Sequence, residues 1–359
     1  MKAIKKVRDN IHLVLTKIFS YNKPFMAIIG PREIGKSTTF WLWHFDNWVN
    51  DLMPAICFRR NTADISEFYI ESIAEIIRKF SGEIGFIYSK DAIKKGAVMV
   101  YALYKGEKHL FMCILSCSVP IGRLKSLVVR NPRCGVFDEF IIDTSTGEKY
   151  LPNEAKKVKE IINTFQRECD GVFRVFFLGN PYSLYNPIFA WWGVPTSKLK
   201  AGAIITGNNW VVQCATISPE LKEYILKHNP LYDFEEDDEY KRYAFNGEAV
   251  NDKNILIQEK PDAGMQLIFV FKIEGKNLLV YIGGDDYGTK FWVGFNKAWN
   301  GNRRNIYVFE FRDLVNNGIL IGREERMTLS ILKAAIRTRN VYYGDLEAAY
   351  MIQDIFPLI

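Results

Sequence analysis

Residues 25–37 read FMAIIGPREIGKS, and this stretch decides the fold. Phe25, Met26, Ala27, Ile28 and Ile29 form a short apolar run of the kind that makes a buried strand. The next eight residues, Gly30, Pro31, Arg32, Glu33, Ile34, Gly35, Lys36 and Ser37, fit GxxxxGKS, the phosphate loop. Each fixed position has a physical task. Gly30 and Gly35 permit backbone angles that turn successive amides inward onto phosphate oxygens. Lys36 sets a positive charge on the β- and γ-phosphates, and Ser37 offers its hydroxyl to magnesium. A helix predicted over Ser37–Val49 begins here, with Thr38 in its first turn, and aims its positive dipole end at the same anion. The expected ligands are therefore ATP and Mg2+.

Working outward, apolar strand-like runs alternate with helix-like stretches. Strands are predicted at Phe25–Ile29, Ala55–Phe58, Ala97–Leu103, Leu110–Ser116, Cys134–Phe137 and Val172–Leu178. Helices are predicted at Ser37–Val49, Ile65–Phe80 and Asn153–Glu168. This alternation indicates an α/β domain with a mostly parallel sheet covered by helices. With the phosphate loop after its first strand, the fold expected is a P-loop NTPase of the additional-strand, RecA/ASCE-like type. From Asn254 onward the pattern changes to hairpins, with strands at Leu267–Ile273 and Leu278–Ile282 around a Glu274–Asn277 turn, so an α+β domain follows. The division read from the sequence is a motor domain over 1–197, a connecting region over 198–252 and a second domain over 253–359.

The chain has 359 residues, 48% hydrophobic and 25% charged, a composition that excludes global disorder and agrees with about two domains. The net charge of +6 is compatible with a polyanionic partner. No apolar run reaches the roughly 20 residues needed to cross a bilayer, so no membrane role is expected. Six cysteines form no CxxC and read as reduced, buried thiols; four scattered histidines give no zinc pattern. The basic N-terminus spaces Ile4, Val7, Ile11, Val14 and Leu15 as an amphipathic helix. The acidic run Glu235–Glu239 reads as solvated surface.

Further motifs carry chemistry. The strand Cys134–Phe137 ends in Asp138-Glu139. In a P-loop enzyme the first carboxylate orients magnesium and the second polarises the attacking water, which points to hydrolysis. Val175–Leu178 leads into Gly179-Asn180-Pro181, where Asn180 can sense the γ-phosphate; the alternative is an ordinary turn. Transition-state charge calls for an arginine. Arg32 can act within its own chain, and Arg167, late in the helix before the Asn180 strand, can reach a neighbouring subunit. Arg59 and Arg60 face either nucleotide or DNA, or solvent. Tyr21 is a candidate for stacking on adenine, with core packing as the alternative. In the second domain, Gly284-Asp285-Asp286-Tyr287-Gly288 and Gly344-Asp345-Leu346-Glu347 follow strands. Carboxylates such as Asp286 and Asp345 at neighbouring strand ends hold paired divalent ions in nucleases.

GPREIGKS, then VFDEFI followed by YLPNEA (Tyr150–Ala155), FFLGNP, and a second Asn-Pro at Asn186-Pro187 together resemble the DNA packaging ATPases of phi-29-type phages, small relatives of the terminase large subunit. The resemblance covers most of the first 195 residues and extends more weakly beyond. It implies a homomeric, pentameric ring at the portal (connector) vertex of an empty capsid, driving double-stranded viral DNA inward with ATP in the host cytoplasm. It also implies contact with a packaging RNA through the C-terminal domain. Carried over, Lys36 and Ser37 bind phosphate and magnesium, Asp138 is the metal carboxylate, Glu139 the catalytic base and Asn180 the coupling residue. Arg167 is the trans-acting arginine, and Lys125, in the loop Arg123–Ser126, a second trans-acting basic residue. The C-terminal domain is expected to be a vestigial ribonuclease H-like nuclease. Asp286 and Asp345 depart from that by retaining acids, which keeps an active terminase-type endonuclease as the alternative.

Overall fold

The computed structural model describes residues 16–81, 84–124, 127–143, 148–182, 186–195, 198–228, 256–273, 275–285, 288–295, 307–310, 323–337, 340–345, 348–349 and 351–352. The chain divides into two compact units, Met1–Tyr182 with Ser197–Val250, and Ser183–Thr196 with Asn251–Ile359.

The first unit is built on nine strands: β1 Phe25–Ile29, β2 Ala55–Arg59, β3 Phe86–Ile87, β4 Ala97–Tyr104, β5 Glu107–Ser116, β6 Cys134–Asp138, β7 Arg174–Gly179, β8 Ile204–Thr206 and β9 Trp210–Cys214. Their order is β3-β4-β5-β2-β6-β7-β1-β9-β8. The six strands from β5 to β9 through β1 pair in parallel. Antiparallel strands close both edges. β7 lies between β1, which feeds the phosphate loop, and β6, which ends in Asp138. That inserted strand is the mark of the additional-strand class. The central strands are buried along their length, as strands covered on both faces are.

Helices α1 (Lys36–Asp51), α2 (Glu67–Ser81) and α3 (Glu154–Gln166) cover this sheet. In α1 the residues Phe40, Trp41, His44 and Trp48 recur at helical spacing and are all buried. Trp41, His44 and Trp48 pack around Phe111 on β5, with ring centroids 6.3 Å, 4.8 Å and 5.2 Å away. Trp48 Nε1 donates to the Leu110 carbonyl at 2.9 Å, which fixes the helix register against the strand. Phe111→Ala is expected to destabilise this unit by about 3–5 kcal/mol, since a fully enclosed ring leaves a cavity that rigid aromatic neighbours cannot fill. A lowered denaturation midpoint, followed by tryptophan fluorescence, checks this. Of the cysteines, Cys169 alone is partly exposed; none is in a disulfide.

The expected connecting region differs from the structure. β8 and β9 fall inside 198–252, and β9 pairs in parallel with β1 from Phe25↔Trp210 to Ile29↔Cys214. The Gly207–Asn209 stretch that reads as linker is the turn of the β8–β9 hairpin, and Gly207 N donates to the Trp210 carbonyl. The amphipathic N-terminal stretch before residue 16 and the acidic run 235–239 lie outside the described residues.

The second unit is α+β, as expected. Its strands are β10 Leu256–Ile257, β11 Gln266–Ile273, β12 Lys276–Asp285, β13 Gly288–Phe295, β14 Tyr307–Glu310 and β15 Val341–Tyr343, in the order β10-β15-β13-β12-β11-β14. β11, β12 and β13 form an antiparallel meander, while β14 runs parallel to β11 and β15 parallel to β13. Helices α4 (Pro187–Trp192) and α5 (Arg323–Arg337) belong to this unit, Ala190 of α4 and Leu329 and Leu332 of α5 meeting its core. Asn186 caps α4 by accepting from Phe189 N at 2.9 Å, with Pro187 as first helical residue, so the second Asn-Pro is helix-start chemistry.

Candidate active site

The phosphate loop leaves β1 at Gly30. A Cβ there would lie 2.6 Å from Ile34 Cδ1 and 3.0 Å from the Ala215 carbonyl oxygen, so the close approach to β9's end needs glycine. Gly35 has φ 82° and opens α1, which gives the amides their inward turn. Lys36 Nζ donates to the carbonyls of Gly30 at 2.8 Å and Pro31 at 2.6 Å and to Asn180 Oδ1 at 3.0 Å. The polar end of β7 is thus joined to the phosphate-loop lysine. Burial pulls the Lys36 ammonium down to about 7, helped by Arg32 and opposed by Asp138 and Glu139.

Ser37 Oγ donates to Asp138 Oδ1 at 3.0 Å. A hydroxyl and a carboxylate oxygen this close, at the mouth of an anion loop, form the hard-oxygen donor pair that magnesium takes. Burial raises the Asp138 carboxyl, offset chiefly by the Arg59 guanidinium. Glu139 is exposed, and its carboxylate accepts from Arg59 Nη2 at 2.9 Å. Arg59 itself lies over the Tyr69 ring, 4.6 Å from its centroid. To polarise water, Glu139 must exchange this guanidinium for the water proton.

A cleft of about 400 Å³ collects Arg32, Glu33, Gly35, Lys36, Ser37, Thr38, Asp138, Glu139 and Asn180. An adjoining recess of about 250 Å³ shares Arg32, Asp138, Glu139 and Asn180. Gly30, Pro31 and Ile34 are buried beneath them. Arg32 Nη2 donates to the Tyr182 hydroxyl, so Arg32 is directed along its own chain's cleft.

Other expectations separate from this group. Arg167 is exposed at the C-terminal end of α3 and lines neither cavity of its own chain. Tyr21 precedes β1, at the end of that strand opposite the phosphate loop, is 37% exposed and lines neither the cleft nor the recess. Arg60, read as facing nucleotide, DNA or solvent, is buried against Glu154 and forms part of the wall of the adjoining recess. Lys125 and Asp286 lie outside the described residues. Asp345 is exposed, and its Oδ1 accepts from Ala348 N at 2.7 Å. Sequence reasoning passed over Tyr182 and the Arg60–Glu154 pair. The signal was present for Glu154, the acid in YLPNEA, but its partner stands 94 positions away.

The strand order and this constellation define a P-loop NTPase of the additional-strand class with a second, α+β domain. The chain belongs to the family of the Podovirus DNA encapsidation protein (Gp16), whose model matches residues 9–356. It is similar in fold to the Phi-28 gp11 DNA packaging motor, at 15% identity and a TM-score of 0.58, over 96% of this chain and 97% of that one. It is also similar to a chain of the bacteriophage Phi-29 viral genome packaging motor assembly, at 17% identity and a TM-score of 0.52, over 96% and 99%. No curated protein matches it.

Proposed function

We propose that this protein is the ATP-driven motor that moves double-stranded viral DNA into a preformed capsid, working as a homomeric ring, a pentamer, at the portal. The observation that carries the reading is the pair of hydrogen bonds Lys36–Asn180 and Ser37–Asp138 on one cleft with Glu139, in a member of a DNA encapsidation family. Lys36 and the loop amides hold the phosphates, and Ser37 with Asp138 would hold Mg2+, which supplies charge neutralisation between the phosphates. Glu139 takes the proton of the attacking water. Asn180, bonded to Lys36, is placed to feel the loss of the γ-phosphate. Host cytoplasm and the assembling capsid are the sites of action, and a packaging RNA is the further partner. DNA contact is to phosphates and independent of sequence, so the DNA-dependent part of the activity should fall steeply with salt. ATP hydrolysis stimulated by capsids and double-stranded DNA together tests the reading; equal stimulation by single-stranded DNA alone would favour a helicase.

Lys36 gives this site a pH dependence. With its pKa near 7, the free protein sheds the Lys36 proton as pH rises, whereas phosphate binding needs it bound. Binding therefore takes up a proton above pH 7, and MgATP affinity should fall by up to about tenfold per pH unit between 7.5 and 9. Titration with a fluorescent ATP analogue across that range checks this; a flat dissociation constant would show that Lys36 stays charged.

We further propose that the second unit does not cut DNA. β12 ends at Asp285, paired with Gly288 at the start of β13, whereas Gly344 N donates to the Val293 carbonyl near the other end of β13. The five steps from Gly288 to Val293 put roughly 16 Å between these two ends. Paired ions sit about 3.5–4 Å apart, so the carboxylates that hold them must converge on one place. No manganese-dependent cleavage is expected; cleavage abolished by Asp286→Ala would restore the endonuclease reading.

A further inference from the structure

Glu139 stands at φ +58°, the left-handed region that a non-glycine side chain enters only when its surroundings hold it there. Arg60 does so. Its Nη1 donates to the Glu139 carbonyl at 3.1 Å and its Nη2 to the Phe140 carbonyl at 2.8 Å. The successive carbonyls of Glu139 and Phe140 are thus fixed by one planar group.

The guanidinium is in turn immobilised. Its Nε donates to Glu154 Oε2 at 2.8 Å and its Nη2 also to Glu154 Oε1 at 3.0 Å. Arg60 is 6% exposed and Glu154 1%. The rings of Phe137 and Tyr150 lie 5.4 Å and 5.1 Å from the Arg60 Cζ. Glu154 Oε2 also accepts from Leu151 N at 3.0 Å, and the Tyr150 hydroxyl accepts from Ile142 N at 3.4 Å. The Tyr150–Glu154 segment therefore grips the 139–142 loop at two places, and α3 begins at the grip. A lysine cannot replace this fork, because four directed bonds leave from one plane.

We propose that Arg60 and Glu154 are positioning residues for hydrolysis: together they set the direction of the Glu139 carboxylate through its backbone. This rests on the reading of Glu139 as the base. It gives the Glu of YLPNEA a role in turnover and makes the first turn of α3 part of the active-site geometry.

The test is single-turnover hydrolysis and MgATP binding in the full chain, for Glu154→Gln, Glu139→Gln and the double variant, with thermal unfolding measured alongside. Glu154→Gln keeps shape and removes the charge; Arg60→Lys is the second variant, should the first fold poorly. Each is expected to bind MgATP within about twofold of wild type and to lose at least tenfold in kcat. In the Glu139→Gln background, Glu154→Gln should cost nothing further, because it acts through the missing carboxylate. A pair serving the fold alone would lower the unfolding temperature and leave kcat per folded molecule unchanged. That result, or losses that multiply in the double variant, would overturn the proposal. Wild-type turnover in Glu139→Gln alone would instead remove the base, and the proposal with it, an outcome the single variant shows separately.

Discussion

Glu139→Gln is expected to stop ATP turnover while leaving ATP bound. Glutamine fills the same space at the mouth of the cleft and can still accept a hydrogen bond from Arg59, so the loop and Lys36 keep their arrangement. What it cannot do is accept the proton of the attacking water. General-base catalysis contributes about 10²–10⁴-fold, and kcat should fall by that factor with little change in the dissociation constant for MgATP. Rapid-quench hydrolysis paired with equilibrium binding separates the two quantities. Loss of binding in place of turnover would mean that Glu139 serves the loop structure and that another group activates water.

Arg167→Ala is the second large effect, and its sign depends on assembly. Arg167 lines neither cavity of its own chain, so removing it should leave ATP binding by the isolated protein as it was. If the residue completes a neighbour's site, turnover in the assembled ring should fall by roughly 10³–10⁵-fold, the range an arginine finger supplies. Mixed rings then give a sharper reading than pure mutant. A trans-acting residue poisons its neighbour, so activity should drop faster than the mutant fraction rises. Strict proportionality, or normal hydrolysis by the assembled mutant, would remove the finger assignment.

The first unit was largely legible because its information is local. The run Phe25–Ile29, the GxxxxGKS spacing and the acids after Phe137 each announce themselves within a few residues, and they sit where the strand order needs them. Partnerships across the sequence were not legible. Arg59 and Arg60 are adjacent and chemically alike, yet one faces Glu139 from the cleft wall and the other is buried on Glu154. Only the path of β2 beside β6 decides which is which. Tyr21 failed for a related reason: nearness in sequence to the phosphate loop became distance once β1 ran between them. β8 and β9 were missed because Gly207-Asn208-Asn209 has the composition of a linker and of a hairpin turn alike, and pairing with β1 settles the matter. In the second unit, the ends of β12 and β15 lie beside opposite ends of β13, which only the strand pairing reveals.

These results join into one scheme. In the proposed function, phosphate, metal and water are handled by residues at the ends of β1, β6 and β7. Arg60 and Glu154 tie that centre to the start of α3, and α3 carries Arg167 at its other end. Thirteen helical residues span about 20 Å, so in the proposed ring α3 would link the nucleotide site to the Arg167 surface. The measurement that tests the central claim most directly is nuclease protection of double-stranded DNA by purified empty capsids supplied with this protein and ATP. The account predicts protected DNA that lengthens with time and needs hydrolysable ATP and Glu139. Protection that proceeds equally with Glu139→Gln, or with a non-hydrolysable analogue, would contradict it.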